Sequence, residues 1–262
     1  MKEGKNKQHF ILVHGACHGA WCWYKVATLL ISTGNQVTAL DLGSSGTNPK
    51  KFNDEFCTFS DYSQPLLDIM ASLPPQQKVI LVGHSLGGLT LALAMDRYPE
   101  KVSAAVFVTA FMPDSSNRLS FVLDKFFESK QYNLMDTKFD FYQGQEELPR
   151  MLFGLQYLSQ RLYQLSPPED MTLATTLLRA TPLPREEQSN APILSEERYG
   201  SVSRVYIMCD EDICITYNFQ RWMIENDPVK EVKVINGSDH MPMFSKPQEL
   251  CLCLLKIAET YS

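Results

Sequence analysis

The stretch Val79-Ile-Leu-Val-Gly-His-Ser-Leu-Gly-Gly88 decides how this chain reads. Four apolar residues, three of them β-branched, predict a buried strand. Leu89 to Tyr98, closed by Pro99, predicts a helix directly after it. Between the two, Gly83-His-Ser-Leu-Gly87 fits the G-x-S-x-G turn that holds a serine nucleophile on a sharp strand-to-helix elbow. The turn leaves little room for neighbouring side chains, and Gly83 and Gly87 meet that demand. A helix beginning here directs its positive end at the reacting centre. A Gly-rich turn with an incidental serine is the plainer reading, and the strand before it and helix after it argue against that.

Outward from the elbow, short apolar runs alternate with helical stretches. Strands are predicted at 10–13, 36–41, 79–82, 104–108, 204–209 and 232–235. Helices are predicted at 23–33, 59–72, 86–98, 217–226 and 247–260. That alternation predicts an α/β fold with a mostly parallel, doubly wound sheet. From about Pro113 to Ser201 the rhythm stops, and the chain is rich in Phe, Met, Leu and Tyr with Pro punctuation. So long a structureless insertion is improbable in a compact domain. It reads as a mainly helical cap, residues 114–189, inserted into a core formed by 1–113 and 190–262.

With 262 residues the chain is long enough to bury a substantial core. A formal net charge of −6 argues against nucleic acid or an anionic membrane surface as partner. No apolar stretch reaches the roughly 18 residues a membrane span needs. The charged N-terminus lacks a secretory apolar region. Seven cysteines form neither a C-x-x-C pair nor zinc spacing, which predicts buried thiols in a reducing, cytoplasmic setting and no metal site.

A serine hydroxyl is a weak nucleophile and needs a base. Of five histidines, His9 precedes the first strand, His14 and His18 follow it, and His84 flanks the nucleophile. His240 lies in Gly237-Ser-Asp-His-Met241, after the last strand, where catalytic groups of open α/β sheets gather. The chain order Ser, acid, His selects it. The acid is expected in Cys209-Asp-Glu-Asp212, with Asp212 favoured for lying further into the loop and Asp210 second. Asp239 is expected to be structural. Developing charge on an ester oxygen needs donors, expected from the Leu86 amide and, in His14-Gly-Ala-Cys-His-Gly19, the Ala16 amide.

Phe10 to Lys25, Val37 to Leu42, Ser45-Gly-Thr47, Val79 to Gly88 and Phe111-Met-Pro-Asp114 closely resemble the plant methylesterase and hydroxynitrile lyase family. So do Tyr199 to Val202, Phe219-Gln-Arg-Trp222 and Gly237 to His240. The match covers nearly the whole chain and is weakest in the cap. It implies the α/β-hydrolase fold, a Ser85–Asp212–His240 triad, oxyanion amides at Ala16 and Leu86, no cofactor, and a homodimer. The lyases carry threonine at position 15 and lysine at 241, where this chain has Gly15 and Met241, so the resemblance implies an esterase. Salicylate-binding methylesterases place tryptophan where Leu134 stands, which implies a roomier acyl site here. Alkaloid esterases similar to polyneuridine aldehyde esterase lack that tryptophan too, so a carbomethoxy alkaloid is the alternative to a hormone methyl ester such as methyl salicylate, methyl jasmonate or methyl indole-acetate. A hydrolase-fold ligand receptor without turnover is the reading from another class. Substrate contacts are expected from Gly15, His84, Phe126, Leu134, Met135, Met151 and Met241.

Overall fold

The computed structural model describes residues 7–50, 58–129, 133–141, 149–182 and 193–261. Its first half runs β1 (His9–Val13), α1 (Tyr24–Ser32), β2 (Gln36–Leu40), α2 (Phe59–Ser72), β3 (Val79–His84), α3 (Gly87–Arg97) and β4 (Val102–Val108). There follow α4 (Phe121–Glu128), β5 (Lys138–Phe141), β6 (Pro149–Leu152), α5 (Leu155–Tyr157), α6 (Pro168–Leu177) and β7 (Thr181–Pro182). The chain closes with β8 (Arg204–Cys209), α7 (Tyr217–Asn226), β9 (Glu231–Ile235), α8 (Pro242–Ser245) and α9 (Pro247–Tyr261).

Six strands form one sheet in the order β2-β1-β3-β4-β8-β9, and every neighbouring pair is parallel. The central strands β1, β3, β4 and β8 are covered on both faces, which is why they read as nearly continuous apolar runs. Strand alternation divides the core in two. Val79 and Leu81 of β3, with Ala105 and Phe107 of β4, face one layer that includes Leu66 of α2 and Leu91 of α3. Ile80 and Val82, with Val106 and Val108, face the other, which includes Leu30 of α1 and Leu254 of α9. This sandwich holds the carboxyl ends of β1, β3, β8 and β9 side by side, and every loop expected to carry chemistry leaves from one of them.

The segment between β4 and β8 contains α4, α5 with its continuation through Leu162, and α6, as expected of a mainly helical insertion. It also contains a small antiparallel sheet, β5-β6-β7, that the sequence reading did not anticipate. These strands span four, four and two residues, too short for an alternating pattern to stand out. The expected boundary near 190 lies outside the described residues.

Candidate active site

Ser85 sits at the end of β3 with φ +53°, a left-handed conformation that is costly for a residue with a side chain. The turn is held because the Ser85 carbonyl accepts the Gly88 and Phe111 amides at 3.1 and 3.0 Å. Glycine is required beside it: a Cβ on Gly87 would stand 2.6 Å from the His14 carbonyl oxygen. Gly15 is similarly confined, since a Cβ there would lie 2.8 Å from Ser85 Cβ and 3.0 Å from His84 Nδ1. The loop after β1 therefore packs directly on the elbow.

His240 Nδ1 donates to Asp212 Oδ2 at 2.7 Å, and both residues are buried. The other carboxylate oxygen of Asp212 accepts the Cys214 and Ile215 amides at 2.7 and 3.0 Å. Thr109, at the end of β4 with φ +35°, adds a hydroxyl hydrogen bond to Asp212 Oδ2. This array fixes the carboxylate and leaves Nε2 as the lone-pair nitrogen of His240. Asp210 is turned away and accepts the Gly237 amide at 2.7 Å. Asp239 accepts the Met241 amide on one oxygen, and the Leu165 amide and Ser166 hydroxyl on the other.

The remaining histidines are committed elsewhere. His84 donates from Nε2 to the His240 carbonyl at 2.7 Å, tying the elbow to the histidine loop. His14 donates from Nδ1 to the Gly15 carbonyl and accepts the Leu42 amide on Nε2. His18 donates from Nδ1 to the Ala16 carbonyl and accepts the Tyr163 hydroxyl on Nε2. Burial keeps all three neutral, lowering His14 and His84 and taking His18 to about 3. His9 is at the opposite end of β1, bonded to Thr38 and Gln77.

Among the described residues, no protein acceptor takes the Ala16 or the Leu86 amide. The Ala16 loop is pinned by its next residue: the Cys17 amide donates to Thr181 Oγ1 at 2.7 Å and the Cys17 thiol to the Met151 carbonyl at 3.2 Å. Burial pushes that thiol up to about 12, so it stays protonated. Ser85 Oγ is not hydrogen-bonded to His240 in this structure; catalytic contacts of this kind commonly tighten when substrate binds.

The sequence pattern of the alpha/beta hydrolase family matches residues 10–251. The chain belongs to that family. Methyl jasmonate esterase 1 of Vitis vinifera is 53% identical over 98% of this chain and 99% of its own. Salicylic acid-binding protein 2 of Nicotiana tabacum is 52% identical over the full length of both. The crystal structure of polyneuridine aldehyde esterase superposes with a TM-score of 0.92 at 44% identity, covering 97% of this chain and 100% of that one. The expected resemblance and fold class are thus borne out.

The elbow opens on a cavity of about 440 Å³ including its mouth. Of the residues singled out from sequence, Ala16, Ser85, Leu86, Phe126, Leu134 and Met151 line it. Four of the expected substrate contacts do not. Gly15 and His84 are packed behind the elbow, and Met241 is fully buried in the core layer that includes Met243 and Phe244. Met135, at φ +49°, packs partly buried on that same layer. Sequence reading missed Phe111, Leu123, Phe127, Phe153, Tyr157 and Cys214, which complete the wall. Phe111, three residues past β4, and Cys214, two past Asp212, were within reach from their positions at strand ends. The four from the insertion carried no such signal.

Proposed function

We propose that this α/β hydrolase is a serine carboxylesterase that cleaves methyl esters of small plant metabolites through an acyl-enzyme. The observation that carries the reading is the buried His240–Asp212 pair together with an elbow serine, and an apolar cavity lined by Ala16 and Leu86, whose amides have no protein acceptor among the described residues. His240 Nε2 takes the Ser85 proton as Oγ attacks the ester carbonyl. The Ala16 and Leu86 amides hold the resulting oxyanion, and collapse expels methoxide, which His240 protonates to methanol. Water, deprotonated by His240, then releases the acid and restores Ser85. Asp212 fixes the imidazole tautomer throughout. No step requires a metal or organic cofactor.

The relatives' names support a hormone-type methyl ester, with jasmonate or salicylate as the acyl group. Indole-acetate belongs to the same substrate class. The lyase reading has less support: Gly15 stands where the lyases carry threonine, and Met241 supplies no charge for a departing cyanide. An alkaloid carbomethoxy ester is the second reading, favoured by the likeness to polyneuridine aldehyde esterase and by Leu134 in the wall. Segment 114–189 is the cap over the site. The buried free thiols Cys17, Cys22, Cys209 and Cys251 suit a cytoplasmic protein, and a homodimer is the expected assembly.

The test compares wild type with Ser85→Ala by mass spectrometry of products from methyl salicylate, methyl jasmonate, methyl indole-acetate and a carbomethoxy indole alkaloid. Serine-dependent release of a hormone acid supports the first reading, and release from the alkaloid alone supports the second. Binding without turnover of any ester would replace both with a receptor.

A further inference from the structure

Among the described residues of the cavity wall, two side chains besides Ser85 carry a hydrogen-bond donor, and they meet. Tyr157 Oη and Cys214 Sγ lie 3.2 Å apart. The rest of the wall is Ala, Leu, Phe and Met. The pair stands next to the chemistry: Cys214 Sγ, a carboxylate oxygen of Asp212 and a ring nitrogen of His240 lie within 4.8 Å of one another.

We propose that Tyr157 and Cys214 form a polar subsite beside the catalytic pair, which selects substrates carrying a carbonyl or hydroxyl oxygen close to the ester carbon. This rests on the esterase reading and names a feature of its acyl group. Each half of the subsite is set in place independently. Tyr157 lies in the first turn of a helix whose amides are capped by Asp136: its Oδ1 accepts the Tyr157 amide and its Oδ2 the Gln156 amide, both at 3.0 Å. The Tyr157 ring stacks on Phe153 with centroids 5.0 Å apart. Cys214 comes from the other side of the seam, held through its amide by the catalytic carboxylate itself.

The chemistry of the pair favours exchange with a ligand. Sulfur is a weak hydrogen-bond acceptor and S–H a weak donor, so a ligand oxygen is a better partner for the phenol than the thiol is. Burial and the charge of Asp212 hold the thiol protonated, which makes it a neutral donor and not a nucleophile. A substrate oxygen can therefore accept from the phenol, the thiol or both. A plain hydrocarbon chain leaves the two groups bonded to each other, so discrimination is modest: one net hydrogen bond corresponds to about three- to tenfold.

The test uses methyl hexanoate, methyl 3-oxohexanoate and methyl 3-hydroxyhexanoate with wild type, Tyr157→Phe and Cys214→Ala. Taking ratios between variants cancels the intrinsic reactivity of each ester. The expected result is a fall of about three- to tenfold in the oxygenated-to-plain ratio of kcat/KM for Tyr157→Phe, carried mainly by KM, and a smaller fall for Cys214→Ala. Equal losses on all three esters, leaving the ratio unchanged, would mean a packing role and overturn the proposal. If no ester is turned over, the esterase reading fails on its own, and calorimetric binding of the three esters to Ser85→Ala still reads the subsite. Tighter binding of the oxygenated esters, lost in Ser85→Ala/Tyr157→Phe, supports it; equal affinities overturn it.

Discussion

Three residues after strand ends make the proposed site: Ser85, Asp212 and His240. Ser85 and His240 were legible because a local pattern and the order along the chain single them out. Asp212 was legible only as one of three neighbouring carboxylates, and the side chains separate them: Asp212 meets His240, whereas Asp210 braces the Gly237 turn. Thr109 was not legible at all. It lies 103 residues from Asp212 in the chain, and its bond depends on a left-handed backbone that threonine rarely adopts. Its hydroxyl shares Asp212 Oδ2 with His240, so it positions the carboxylate that orients the base. Removing a hydrogen bond to a charged group costs about 1.5–3 kcal/mol, so Thr109→Val is expected to lower kcat roughly tenfold or more with KM little changed. Thr109→Ser should retain most of the activity. Steady-state kinetics of the pair check this, and equal losses in both variants would remove the hydroxyl from the account.

The elements divide by how they are buried. All six strands of the main sheet and its five long helices were legible: the four central strands, covered on both faces, read as nearly unbroken apolar runs, the edge strands β2 and β9 as β-branched stretches, and the helices between them are long. The inserted segment was legible only in outline. Its three strands are shorter than any dependable pattern, and its wall residues are chosen by tertiary packing. That is why Met135 and Met241, plausible as rim residues, turn inward instead. The insertion also does more than line the cavity. Thr181 and the Met151 carbonyl grip Cys17 beside the Ala16 amide, while Leu165 and Ser166 grip Asp239 beside His240. Two loops of the proposed site are thereby tied to the segment that lines the cavity.

The whole molecule carries a consequence of burying neutral histidines. His14, His18 and His84 protonate in the unfolded chain near 6.5, while burial lowers each in the folded state, His18 to about 3. Between those values the unfolded chain binds more protons, so stability rises with pH. The contribution is complete above about pH 6.5 and is lost progressively as pH falls, for His18 down toward 3. Each such group adds a slope of about 1.4 kcal/mol per pH unit within its window. Urea denaturation at pH 7, 6 and 5 should show the loss, and His18→Gln should show a shallower dependence than wild type. Equal slopes would mean that His18 gains its proton without unfolding.

The proposed mechanism makes Ser85 the nucleophile served by His240. The most direct measurement is intact-mass and peptide-mapping mass spectrometry after exposure to a fluorophosphonate, which reacts with an activated serine and is trapped there. One adduct per chain is expected, on the peptide carrying Ser85, with labelling slowed by orders of magnitude in His240→Ala and absent in Ser85→Ala. An unlabelled wild-type protein, or an adduct on another residue, would contradict the account.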